Sequence, residues 1–117
     1  MLLLYALIVF AVGASAGLAL AAAYVLRKRL APWPLSLLHA ALGATGLSLL
    51  IYAALTTGVS RAPLVALVIL VIAALAGFYL ASIHFRGEIA KKPIVFIHAG
   101  VAVIGFFTLL GAVFGLF

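Results

Sequence analysis

Two histidines stand at matching places in the chain. His39 follows Pro34 by five residues in "PLSLLHAALGATGLSLL", and His98 follows Pro93 by five in "PIVFIHAGVAVIGFFTLL". Seven residues beyond each histidine lies a glycine, Gly46 and Gly105. The third histidine, His84, comes two residues before Arg86. Imidazole ligates metals through a neutral nitrogen and exchanges protons near neutral pH. Ionisable groups inside long apolar segments are rare and usually functional, so a duplicated histidine in such a setting points to ligation or proton handling.

Other chemistries are excluded by what the chain lacks. Glu88 is the only acidic side chain and there is no Asp. A Ser-His-Asp triad and a carboxylate acid/base pair are therefore impossible. With no cysteine, disulfides, iron–sulfur clusters and thiolate metal sites are also out. The glycines sit within apolar runs, not in a phosphate-binding loop.

The elements that carry the histidines follow from composition. Of 117 residues, 70% are hydrophobic and 7% charged, against about half apolar and about a quarter charged in soluble domains. Four apolar runs, 2–26, 35–57, 64–85 and 94–117, are each long enough to cross a hydrocarbon core of about 30 Å. They predict one all-α integral membrane domain over 1–117. "ASA" at Ala14–Ala16 has the form of a signal cleavage site, but the basic cluster follows the apolar run instead of preceding it. The first run is therefore expected to stay as a span.

Arg27, Lys28 and Arg29 fall in the first connection, and Arg86, Lys91 and Lys92 flank the third with Glu88; the second carries only Arg61. The positive-inside rule then places the first and third connections in the cytoplasm and both termini outside, in a bacterial-type cytoplasmic membrane. The net charge of +6 is read as a topology signal and a contact with anionic lipid, not as a nucleic-acid footprint.

An internal repeat organises the spans. Pro34, His39, Ala40 and Gly46 align without gaps with Pro93, His98, Ala99 and Gly105. Gly17, Leu20, Ala21 and Tyr24 align with Gly77, Leu80, Ala81 and His84. The expected architecture is two helical hairpins, 1–58 and 59–117, repeated in parallel about an axis along the membrane normal. Short connections make them an antiparallel four-helix bundle. Pro34, Pro63 and Pro93 suit helix starts, and Trp33 suits the membrane interface.

In that bundle Tyr24, His39, His84 and His98 are expected near the cytoplasmic face at one depth. Gly17, Gly46, Gly77 and Gly105 each lie two turns deeper, about 10 Å along the axis. The glycines either let helices approach closely or make room for a flat cofactor. Neighbouring helices at about 8–10 Å leave little space for two imidazoles with a metal between them, whereas diagonal helices at about 11–14 Å do. His39 and His98 would then clamp one haem b. Arg27, Arg86, Lys91 and Lys92 would neutralise its propionates, and Tyr24 or His84 would supply a supporting hydrogen bond.

In His39, His98, Gly46 and Gly105, and in its four-span plan, the chain resembles small membrane b-type cytochromes. The resemblance implies electron transfer with a quinone or a redox protein, by an electron carrier or redox subunit and not a stand-alone enzyme. The outer half has no histidine, so a second haem of this kind would have no ligands. Two other readings compete. His39, His84 and His98 could form a three-histidine Zn or Cu site. Alternatively, the chain could be a non-catalytic subunit of a membrane assembly or a homo-oligomer.

Overall fold

The computed structural model describes Met1–Phe117 in full. It contains four α-helices: α1 (Leu2–Val25), α2 (Trp33–Thr56), α3 (Arg61–Phe85) and α4 (Lys92–Val113). Both histidine-bearing helices begin in the same way. Pro32 precedes α2 with φ −60° and ψ 138°, and Lys91 precedes α4 with φ −71° and ψ 142°. A proline then occupies the first turn of each, where the missing N–H has no helical partner to lose.

The helix ends depart from the uncharged runs by one to four residues. α3 starts at Arg61, before Pro63, and α4 at Lys92, because a charge on a first turn can reach out of an apolar layer without interrupting the backbone. α4 was expected to run to residue 117 and instead ends at Val113. Gly115 takes φ 70°, which turns the chain. The Leu116 amide donates to the Gly111 carbonyl at 2.8 Å, and the Phe117 ring folds back over Gly111. A left-handed glycine just past the last turn is a common helix stop.

The helices form a four-membered bundle with extents of 42 × 22 × 19 Å. α1 packs most closely on α2, and α3 on α4; looser α1–α4 and α2–α3 seams join the two hairpins. α1 and α3 are therefore diagonal, as are α2 and α4. Across the first hairpin, Phe10 faces Gly46, Gly13 faces Leu42, and Gly17 faces His39.

All four helices are long and apolar enough to cross a membrane. Only 21 of 117 residues are buried, and large apolar side chains such as Leu18, Leu55, Phe78 and Phe96 are exposed all round. An apolar surface this extensive is foreign to soluble monomers and consistent with an integral membrane protein. Ser15, Thr45, Ser48, Thr56 and Thr108 each donate their hydroxyl to the carbonyl four residues earlier. This satisfies those groups without water.

The core is split into two. One cluster joins Ala6, Leu7, Leu50, Ala66, Leu70 and Leu109, and the other joins Leu20, Tyr24, Ala31, Ile83, Ala90 and Val95. On all four helices the residues between these clusters hold the histidine pair.

Candidate functional site

His39 on α2 and His98 on α4 come together across the diagonal of the bundle. Their ring centres are 6.2 Å apart and their planes are perpendicular. Each ring is fixed by its own hairpin partner. His39 Nδ1 lies 2.8 Å from the Gly13 carbonyl of α1, and His98 Nδ1 lies 2.8 Å from the Ala73 carbonyl of α3. A carbonyl can only accept, so Nδ1 carries the proton in both rings. Nε2 is then the unprotonated nitrogen with a free lone pair. Neither Nε2 has a protein partner, yet no buried side-chain nitrogen is left unpaired. Both Nε2 atoms therefore keep some accessible surface. An imidazole tethered through Nδ1–H with Nε2 open is the usual form of a histidine metal ligand.

Gly17 and Gly77 make these ring positions possible. A Cβ on Gly17 would come within 2.8 Å of His39 Cε1, and one on Gly77 within 3.1 Å of His98 Cε1. The rings lie directly on the bare backbone of α1 and α3. The contacts obey the repeat: Gly13 and Ala73, like Gly17 and Gly77, are sixty residues apart.

The second layer of glycines is different. Gly46 is covered by the Phe10 ring, with carbons 2.7–2.8 Å from an added Cβ, and Gly105 by Leu70 and Ile69 at 2.8–3.1 Å. They give close helix packing within the apolar core and do not form an open bed for a flat group.

His84 does not join the pair. It is 4% exposed and stacks on Trp33, with ring centres 4.1 Å apart and planes within 10°. The Tyr24 and Ser36 hydroxyls converge on its Nδ1, each at 3.0 Å. The four ring-bearing residues expected at one depth thus occupy two layers. Tyr24, Ser36, Trp33 and His84 form the one nearer the basic connections. His39 lies one turn, about 4.5 Å, further along α2 from Ser36. The physical reason is register: α3 presents His84 opposite the first turn of α2, while Gly77, seven residues earlier, meets His98. No group of three or more metal-ligating side chains assembles anywhere in the chain, so the three histidines do not form one site. Tyr24 and His84 bond each other and do not reach His39 or His98.

Of the basic residues, Arg86 pairs with Glu88 at 3.8 Å on the exposed surface, and Arg27 lines a hollow beside the end of α1. Neither contacts the histidine pair. The Gly13 and Ala73 carbonyls, Ser36 and the stacking of Trp33 on His84 escaped the sequence reading. Gly13 and Ala73 were findable, since they lie one turn before the repeated Gly17 and Gly77. Comparison of the chain with protein families, with curated proteins and with solved structures finds no match.

Proposed function

We propose that this chain is an integral membrane electron-transfer protein that binds one haem b between His39 and His98. In this reading the four helices cross the bilayer antiparallel, the basic connections face the cytoplasm and both termini lie outside. The observation that carries it is the symmetric pair of tethered imidazoles with open Nε2 atoms. A metal–histidine bond is about 2.0 Å and an imidazole nitrogen sits about 1.1 Å from its ring centre, so two imidazoles whose nitrogens point at one metal have centres about 6.2 Å apart. The observed centres are 6.2 Å apart with the ring planes perpendicular.

The donor set also favours haem over a bare ion. Structural zinc takes four protein ligands and catalytic zinc three, and the site offers two. Haem iron already has four nitrogens and needs only an axial pair. When bound, the haem supplies one-electron chemistry for exchange with a quinone or a redox protein. The chain's part is to hold both rings in one tautomer through Gly13 and Ala73, to lay them on Gly17 and Gly77, and to keep the site apolar above and below. Gly46 and Gly105 are covered by Phe10 and by Leu70 and Ile69, so a bound macrocycle would not lie over them.

One further reading has support of its own. The His39 and His98 bonds tie α2 to α1 and α4 to α3 without any cofactor, as expected of a non-catalytic subunit of a membrane assembly. Spectra of the purified protein, oxidised and reduced, separate the two. A Soret band that shifts on reduction and is lost in His39→Ala and in His98→Ala is expected. A protein that stays colourless after haem is supplied in excess would refute the haem reading.

A further inference from the structure

A hollow of about 480 Å³ opens beside the end of α1, between that helix and the start of α2. Its floor is apolar, with Ala19, Ala22 and Ala23 on one side and Leu35 on the other, and Arg27 and Arg29 stand at its rim. We propose that it is a binding site for one anionic phospholipid, with the phosphate between the two guanidinium groups and an acyl chain along the alanine face of α1. This inference is independent of the haem.

Three observations carry it. The first is charge. The chain's only acid, Glu88, pairs with Arg86 in the other hairpin, so Arg27 and Arg29 have no carboxylate partner. Arginine presents a planar fork that matches phosphate oxygens, and basic residues next to a span attract anionic lipid.

The second is that the rim is built into the backbone. Lys28 takes φ 51°, and the Arg27 and Arg29 amides donate back to the Ala22 and Ala23 carbonyls at 3.3 and 3.2 Å. The backbone that carries the two arginines is thereby folded back against the helix end, with both residues exposed.

The third is that the repeat breaks here. Sixty residues on, Ala19, Ala22 and Ala23 are replaced by Tyr79, Ser82 and Ile83. The second hairpin thus carries larger side chains where the first has a floor, and its basic connection also holds the chain's only acid. A generic attraction of a basic surface to lipid would need neither the small residues nor the asymmetry. A polar rim on an apolar slot suits an amphiphile and not a soluble anion.

The test is native mass spectrometry of the full chain released from nanodiscs of mixed phosphatidylglycerol and phosphatidylcholine. The wild type should retain one phosphatidylglycerol. Arg27→Gln/Arg29→Gln should lower its retention about twenty-fivefold, at about fivefold per charge. Ala19→Tyr, which installs the residue of the second hairpin and leaves every charge in place, should lower it at least fivefold. Lys91→Gln/Lys92→Gln removes the same charge from the other basic connection and should leave retention unchanged. Equal losses in both double variants, full retention in Ala19→Tyr, or equal retention of phosphatidylcholine would each overturn the proposal.

Discussion

The imidazoles of His39 and His98 face each other edge to face with centres 6.2 Å apart, although they come from diagonal helices. Each reaches that position by bonding a carbonyl of the neighbouring helix in its own hairpin. The pair is a joint product of two separately braced halves. It follows that disturbing either brace should damage the pair while the other half stays in place.

Removing a ligand is the direct case. His39→Ala or His98→Ala should abolish the absorbance of a haem ligated by both rings, while far-ultraviolet circular dichroism keeps the helical content of the wild type. Retention of an unchanged Soret band in both variants would show that the iron, if present, is held elsewhere.

The glycines beneath the rings give a graded test. An added methyl comes closer to the ring at Gly17, 2.8 Å, than at Gly77, 3.1 Å. Gly17→Ala should therefore displace His39 more than Gly77→Ala displaces His98. Haem occupancy should fall further in the first variant, measured as the ratio of Soret to protein absorbance. Equal effects, or none, would mean the rings have freedom that the close contacts deny.

The deeper glycines should act on stability alone. Gly46→Ala drives a methyl into the Phe10 ring and Gly105→Ala into Leu70 and Ile69, which should destabilise the bundle by about 1–3 kcal/mol through overpacking. At Gly43 an added Cβ meets nothing within 4 Å. Gly43→Ala should be neutral or stabilising by up to about 1 kcal/mol from helix propensity. Thermal unfolding in detergent orders the three.

His84 should matter for the bundle and not for the ligand set. His84→Ala removes the stack on Trp33 and leaves the Tyr24 and Ser36 hydroxyls without their shared partner, at a cost of about 1–3 kcal/mol. Tyr24→Phe loses one hydroxyl while Ser36 can still bond the ring, so about 1 kcal/mol is expected. Haem stoichiometry should be unchanged in both. A loss of haem in His84→Ala with unaltered stability would make His84 a ligand after all.

Composition and spacing determined much of this protein by themselves. Four apolar runs allow little besides four long helices, because an unpaired backbone in an apolar medium is too costly. The prolines at 34 and 93 place the starts of α2 and α4 to within two residues. The repeat singled out His39 and His98 because a duplicated polar residue stands out against apolar runs that resemble one another by chance. Short connections put their helices on a diagonal.

Other features waited for the tertiary structure. Which helix backs each ring depends on the register between α1 and α2 and between α3 and α4. Register between apolar helices is set by side-chain interdigitation, to which no single residue type gives a signal. That register separated His84 from the other histidines by one turn and filled the spaces over Gly46 and Gly105 with Phe10 and Leu70. It also supplied the Gly13 and Ala73 carbonyls that fix the tautomers. Every residue has a carbonyl, and only packing decides which two face an imidazole.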